Sequence, residues 1–192
     1  MGGPLQVQEI QEIFHRLHLR QKEFSTLIET GTWRGETIRN VVHLFEEIHS
    51  VEINHDLYAK LQEKGFPTSV KLHLGDSSLL LSEIIPLVDS AAVFFLDAHW
   101  CCLNTGRGTK DVPLIDELAC IVDFQMKPAV IIIDDVRLFG LGKNSTPPYP
   151  VEWGEISVTV IIQHVTHRLR NWFQLADRLV LEIEPKLKSN LS

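Results

Sequence analysis

Two runs of apolar residues constrain the fold of this chain more than any other feature. Residues 91–96 (AAVFFL) and 129–133 (AVIII) contain no polar side chain and no alternation of polar and apolar positions. Strands of this kind are buried on both faces, as in a parallel sheet that is covered by helices on each side. The chain therefore predicts an α/β fold with these two strands inside the sheet.

The rest of the chain alternates between helical and strand-like segments. The other predicted strands are residues 24–29, 48–53 and 70–74, followed by a closing hairpin of 172–175 and 179–183 that turns at Ala176-Asp177. The predicted helices are residues 7–22, 35–45, 57–65, 79–85, 113–123 and 151–165. This order predicts a doubly wound, Rossmann-like sheet that is mostly parallel and closes with an antiparallel C-terminal hairpin.

A glycine turn joins the first strand to the first crossover helix, in the stretch LIETGTWRGET at residues 27–37. Gly31 can take a backbone angle that a side chain would forbid, and Gly35 allows a ligand or strand to approach closely. The helix that follows points its free N–H groups at the turn. The next strand ends at Glu52, where an acid is well placed for a ribose diol. This layout predicts a nucleoside-binding α/β half.

An acid ends or follows each of the first five strands, at the edge where α/β sheets bind ligands. These acids are Glu29, Glu52, Asp76, Asp97 and the pair Asp134-Asp135. The first three surround the glycine turn, where they can accept hydrogen bonds from an ammonium, a ribose diol and an adenine amine. A pyrophosphate would be repelled by Glu29, so a positively charged nucleoside such as S-adenosylmethionine is favoured over NAD.

The last three acids predict a metal site. Asp97, Asp134 and Asp135 end two neighbouring strands, and unpaired carboxylates held together would raise one another's pKa. A divalent cation removes this conflict, and oxygen ligands with water suit Mg²⁺ or Mn²⁺. The alternative is that one Asp caps a helix and another pairs with Arg137 or Lys110.

Residues 97–111 form a long polar loop, a length typical of functional lids. His99 in this loop is a candidate general base or metal ligand. Trp33 and Trp100 either shelter the methyl donor and wall the acceptor pocket or serve as packing residues. A zinc site built from His99 and the cysteines is disfavoured, because adjacent cysteines cannot easily both reach one tetrahedral ion. The cysteines concerned are Cys101, Cys102 and Cys120.

Over residues 24–185 the chain resembles the class I S-adenosylmethionine-dependent methyltransferases. ETGTWRG at 29–35 resembles the first motif of the catechol O-methyltransferase group, and VEIN at 51–54 resembles its ribose-binding motif. Asp97 with Asp134-Asp135 resembles the magnesium triad of the metal-dependent O-methyltransferases, including the macrolide-sugar enzymes. The stretches FFLDAHW, DVPLIDEL and VIIIDDVRLFG are also similar to a poorly characterised bacterial methyltransferase-like family. The cofactor-binding residues that the resemblance and the motifs indicate are Glu29, Gly31, Trp33, Gly35, Thr37, Glu52, Ile53, Asp76 and Ser77.

The resemblance implies metal-assisted O-methylation of a small hydroxylated acceptor, with Asp97 and His99 as catalytic residues. The sugar enzymes place a second acid where this chain has His99, and the catechol enzymes place a lysine where it has Trp100. His99, which lies two residues after Asp97, is the expected base, beside a hydroxyl whose pKa the metal lowers. The alternatives are a methyltransferase-fold protein with a non-methylating or binding role and, with less support, an NAD-dependent oxidoreductase.

Charge and composition bear on partners and compartment. A formal net charge of −7 argues against a nucleic-acid or anionic-membrane surface. No apolar run approaches the ~20 residues that span a bilayer, no secretory signal pattern is seen, and three cysteines without finger spacing suggest a reducing, cytoplasmic compartment. We expect an N-terminal helix in residues 1–23, which is a possible homo-oligomer interface, a cofactor-binding domain in 24–185 and a tail in 186–192.

Overall fold

A computed structural model describes residues 3–101 and 105–186 of the chain. Its strands are β1 (Thr26–Thr30), β2 (Glu47–Glu52), β3 (Val70–Leu74), β4 (Ala92–Leu96), β5 (Ala129–Ile133), β6 (Leu169–Leu175) and β7 (Arg178–Ile183). Its α-helices are α1 (Val7–Leu17), α2 (Glu36–Val41), α3 (His55–Lys64), α4 (Ser77–Ile84), α5 (Leu114–Phe124) and α6 (Val158–Val165).

The seven strands form one sheet in the order β3-β2-β1-β4-β5-β7-β6. The first five strands are parallel to one another, and β7 pairs antiparallel with both β5 and β6. Only Ala176 and Asp177 separate β6 from β7, and Ala176 has a positive φ of 51°. The predicted parallel sheet with a closing antiparallel hairpin is confirmed, although β6 begins three residues earlier than expected.

Two apolar cores lie on the two faces of this sheet. All residues of β1, β4 and β5 are buried, as the apolar runs predicted. Alternate residues enter different cores, so that Phe94 packs on one side while Phe95 packs on the other. Helices α4, α5 and α6 cover the first side, and α1 and α2 cover the second. The strand ends are therefore held between rigid layers.

The N-terminal helix belongs to the second core. Its apolar face is buried on a face of the sheet rather than on the sheet edge, through Ile10, Ile13, Phe14 and Leu17. The helix ends at Leu17 and not at residue 22, because His18 takes a left-handed conformation with a φ of 55°. A short 3₁₀ turn, Gln21–Glu23, then leads into β1.

The predicted helix over 151–165 is wrong in its first half. The structure has a helix only over Val158–Val165, and Ser157 caps it by accepting a hydrogen bond from the backbone N–H of Val160. Residues 151–157 form an irregular segment whose apolar side chains, Val151, Trp153 and Ile156, fill the first core. These side chains therefore reach the core without a helix.

Within residues 3–101 and 105–186, no helix is both long enough and apolar enough to cross a bilayer. Cys102 and residues 187–192 of the predicted tail lie outside the described residues.

Candidate functional site

Strand register brings the predicted site residues to one edge of the sheet. Thr30 at the end of β1 pairs with Leu96 of β4, which in turn pairs with Ile133 of β5. Asp97 and Asp134 therefore leave neighbouring strands at the same level, beside the turn that follows β1. Val51 pairs with Thr30 on the other side, so Glu52 also lies next to this turn.

A cavity of about 330 Å³ opens at this edge. Among the predicted site residues it is lined by Glu29, Gly31, Trp33, Thr37, Glu52, Ile53, Asp76, Ser77, Asp97, His99, Asp134 and Asp135. Gly35 is the one predicted residue that does not line it. The sequence pattern thus located nearly all of the cavity wall that comes from the strand ends.

The two glycines of the turn have different reasons to be glycine. Gly31 has a φ of 82°, and a Cβ there would lie 2.6 Å from the carbonyl oxygen of Asp97. Gly35 has a φ of 70°, and a Cβ there would meet Phe66 at 2.7 Å and Leu61 at 3.1 Å. Gly31 therefore allows close passage beside β4, whereas Gly35 allows helix packing and does not face the cavity.

Glu52 holds the shape of the turn. One carboxylate oxygen accepts a hydrogen bond from the backbone N–H of Trp33 at 2.7 Å, and the other accepts from Asn54 at 2.8 Å. Trp33 has a positive φ of 47°, which is unfavourable for a bulky side chain. Its ring is 44% exposed at the cavity mouth, with the guanidinium of Arg34 4.4 Å above it. The hydrogen bond that the Trp33 N–H donates to Glu52 stabilises this strained backbone.

Glu29 is a carboxyl group buried beneath the cavity. It is 1% exposed, and the hydroxyl of Ser50 donates a hydrogen bond to it. Burial raises its pKa to about 8, although hydrogen bonds from Ser50 and Thr37 act in the opposite direction. At neutral pH the group is therefore mostly protonated, and a cation bound beside it would favour the ionised form.

The loop after β4 lies over the ends of β2 and β3. Thr109 donates hydrogen bonds to Asp76 from its backbone N–H at 3.1 Å and from its hydroxyl at 3.3 Å. Gly106 and Gly108 pack so closely that a Cβ on either would contact Ile53 within 3.1 Å. Burial would raise the pKa of Asp76, but hydrogen bonds from Ser78 and Thr109 outweigh it and lower the pKa. The loop thus contacts the residues predicted to bind adenosine.

His99 lies between two acids at the other end of the cavity. Its Nδ1 is 3.5 Å from Asp97 Oδ1, and its Nε2 is 3.4 Å from Asp135 Oδ2. The ring packs edge-on against Trp153 with the centroids 5.2 Å apart. Burial lowers the pKa of His99, but the interaction with Asp97 and the charges of the nearby acids outweigh it and raise the pKa. The imidazole is therefore held and oriented on both sides.

The three acids of the predicted metal triad do not stand as unpartnered carboxylates. Asp134 lies 3.4 Å from Nε of Arg178, and its second oxygen accepts a hydrogen bond from the backbone N–H of Gly3 at 3.1 Å. Asp135 pairs with Arg137, as the alternative interpretation of the sequence anticipated. Burial and the charge of Asp97 raise the pKa of Asp134 to about 6, against the effect of Arg178.

The residues whose ligand atoms lie within 4.8 Å of one another differ from that triad. Among the described residues, the groups that could hold an ion are Asp97, His99 and Asp135, and a second group of Asp134, Asp135 and Asp177. Neither group combines all three predicted ligands or contains a cysteine. With arginines already paired to Asp134 and Asp135, the donor set does not fit the predicted ion.

The N-terminal segment is a part of the site that the sequence did not reveal. Gly3 and Pro4 line the cavity, and the backbone N–H of Leu5 donates to the Thr37 hydroxyl at 3.1 Å. Arg178 holds the segment by donating to the carbonyl of Gly3 and by pairing with Glu9 of α1. No local pattern marks these contacts, because they join residues 3–9 to β7 across most of the chain.

Glu117 is a second buried carboxyl group near the site. It is 1% exposed on α5, and its Oε1 has no hydrogen-bond partner among the described residues. Burial raises its pKa to about 7, and the nearby charges of Asp76 and Asp97 act in the same direction. The sequence feature that could have identified Glu117 is an acid on the apolar face of α5, between Leu114 and Leu118.

Comparisons with known proteins support the fold. No protein-family model and no curated protein sequence matches the chain. Among solved structures, a protein of Klebsiella pneumoniae assigned as an O-methyltransferase superposes with a TM-score of 0.62 at 16% identity, covering 95% of this chain and 82% of that one. The O-methyltransferase TomG of Streptomyces achromogenes, solved with S-adenosylmethionine, superposes at 0.56 with 17% identity over 92% and 80%.

A third structure, human N-acetylserotonin methyltransferase with S-adenosylmethionine, superposes at 0.56 with 14% identity, covering 94% of this chain and 54% of that one. The chain therefore has the fold of the class I S-adenosylmethionine-dependent methyltransferases, and the predicted fold class is confirmed.

Proposed function

We propose that this protein transfers a methyl group from S-adenosylmethionine to a hydroxyl group of a small acceptor. The observation that supports this most directly is the ring of acids around the glycine turn. Glu29 and Glu52 are buried there, and Asp76 lines the same cavity. Acids at this position disfavour a pyrophosphate, and a positively charged nucleoside would favour the ionised form of Glu29.

Each acid has a separate role at the cofactor end. Glu52 accepts backbone hydrogen bonds from residues that include Trp33 and Asn54, and a carboxylate has about four lone-pair sites, so it can also accept from a ribose hydroxyl. Asp76 lies under Ile53 and the loop after β4, where an adenine would be enclosed. Glu29 lies deepest, beside the turn, where it would face the ammonium group.

His99 is proposed as the general base at the acceptor end. S-adenosylmethionine supplies the methyl group: the oxygen–carbon bond forms as the sulfur–carbon bond breaks, and the electron pair stays on sulfur in S-adenosylhomocysteine. The proton of the acceptor hydroxyl passes to the unprotonated ring nitrogen of His99 in its neutral form. Asp97 and Asp135 then stabilise the imidazolium from both sides, as the carboxylate partner of a catalytic histidine does.

The predicted Mg²⁺ or Mn²⁺ would act by lowering the pKa of the acceptor hydroxyl. Its predicted ligands are Asp97, Asp134 and Asp135, of which the last two are paired with arginines. The proposal therefore assigns proton removal to His99 and gives no step to an ion.

Thermal unfolding with S-adenosylmethionine, S-adenosylhomocysteine or NADH tests the cofactor assignment without a known acceptor. A ligand at ~100 times its dissociation constant adds ~2.7 kcal/mol to the free energy of unfolding. We expect both adenosyl compounds to raise the midpoint in the wild type and in the exposed control Glu63→Gln, but not in Glu52→Ala. A rise with NADH alone, or with none of the three, would rule out the proposal.

A further inference from the structure

We infer that Arg137 and Arg178 stand in for a divalent cation, so that this site works without a bound metal ion. The inference rests on the proposed function, because it concerns the same end of the same cavity. It is carried by the contacts of the three acids that end β4 and β5.

Arg178 forms an ion pair with Asp134 in the protein interior. Its side chain on β7 is 5% exposed, with Nε 3.4 Å from one oxygen of Asp134. The other oxygen of Asp134 accepts from the backbone N–H of Gly3. The guanidinium also lies 5.2 Å from the ring centre of Phe95 and pairs with Glu9. An ion on Asp134 would have to displace a buried positive charge from its partner, and buried charges are costly without a partner.

Arg137, which lines the cavity, forms an ion pair with Asp135. It belongs to the 3₁₀ turn Val136–Leu138 and pairs with both Asp135 and Asp177. These are two of the three acids in the second group that could hold an ion. A divalent cation there would lie within a few ångströms of a permanent guanidinium charge, which repels it.

The last acid, Asp97, faces His99 at 3.5 Å. Each of the three acids, Asp97, Asp134 and Asp135, thus has a cationic or protonatable partner from the chain itself. The acids that line the cavity still outnumber its basic residues, since Glu29, Glu52 and Asp76 also line it, so the cavity keeps some negative charge. That excess suits S-adenosylmethionine, which brings a sulfonium and an ammonium group. The pairing of Asp134 and Asp135 with the two arginines removes the repulsion between carboxylates that a metal would otherwise resolve.

Titration with Mn²⁺ followed by electron paramagnetic resonance tests this directly, because the free ion gives a signal that protein binding removes. The samples are the full-length wild type, Arg137→Gln, Asp135→Asn and the control Arg170→Gln, each with and without S-adenosylhomocysteine. Arg170 is a suitable control because its side chain is 64% exposed and pairs with Glu182 outside the cavity. Arg137 is 45% exposed, so its replacement leaves the core intact.

We expect the wild type and Arg170→Gln to leave Mn²⁺ free. Arg137→Gln should bind Mn²⁺ at least about tenfold more tightly than the wild type, since a fixed positive charge beside Asp135 is gone. Stoichiometric Mn²⁺ binding by the wild type that Asp135→Asn abolishes would overturn the inference. No gain in Arg137→Gln would overturn the role given to that arginine.

Binding of S-adenosylhomocysteine, measured by calorimetry on the same samples, separates this inference from the proposed function. If the compound binds and the wild type also takes up Mn²⁺ through Asp135, only the inference fails. If the compound does not bind, the proposed function fails, whatever the Mn²⁺ titration gives.

Discussion

Replacing Glu29 with glutamine tests how the buried acid under the glycine turn recognises a cationic ligand. Glu29 is 1% exposed, and burial raises its pKa to about 8 in the free protein. An ammonium group bound beside it would favour the ionised form, so S-adenosylmethionine binding should release a proton. The variant Glu29→Gln keeps the size of the side chain but cannot ionise.

The expected magnitude follows from this pKa. A carboxyl group with a pKa of about 8 is ionised in about 1% of molecules at pH 6 and about 9% at pH 7. The affinity of the wild type should therefore rise about ninefold between these pH values, while the ligand's amino group stays protonated. At pH 7, the ionisation of Glu29 reduces the binding free energy of the wild type by about 1.4 kcal/mol.

Isothermal titration calorimetry in buffers of different ionisation enthalpy measures both the affinity and the number of protons released. We expect close to one proton per S-adenosylmethionine in the wild type and in Glu63→Gln, and a flatter pH dependence in Glu29→Gln. Equal pH dependence in the wild type and Glu29→Gln, or a wild-type affinity that falls as the pH rises, would refute the reasoning.

Three further predictions concern other parts of the site. His99→Gln should lower turnover by about 10²–10⁴ once an acceptor is found, with the dissociation constant for S-adenosylhomocysteine unchanged; unchanged turnover would exclude His99 as the base. Gly31→Ala should abolish cofactor binding, because its Cβ would lie 2.6 Å from a carbonyl oxygen. Gly140→Ala, with a similar φ of 79° but open space around the Cβ, should keep cofactor binding. Calorimetry on both variants measures cofactor affinity and so separates the effect of the steric clash from that of backbone strain. Burial raises the pKa of Glu117 to about 7, above the ordinary value of a glutamate, so the stability that its protonated form contributes is lost as the pH rises through this range. The stability of Glu117→Gln relative to the wild type should improve by up to about 3 kcal/mol between pH 5 and pH 8, measured by urea unfolding.

Local pattern predicted the strands and the residues that line the cavity beside the glycine turn. The runs at β4 and β5 are apolar throughout because both of their faces are buried, and this is visible in a short stretch of sequence. Gly31 and Glu52 could be named as candidate cofactor-binding residues because a glycine turn and a strand-end acid are local features. The segment 151–157 misled the prediction, because its apolar side chains reach the core from an irregular segment and not from a helix.

The sequence by itself determined which acids reach the binding edge, because strand ends in a parallel sheet lie side by side. Only the tertiary structure decided what those acids contact. Arg178 meets Asp134 because β7 runs antiparallel beside β5, and Gly3 reaches the same carboxylate because α1 packs on the sheet. Thr109 reaches Asp76 because the loop after β4 folds back over β3. Such contacts join residues far apart in the chain, so neither the spacing nor the periodicity of the sequence records them. These contacts decide whether a carboxylate is free or paired.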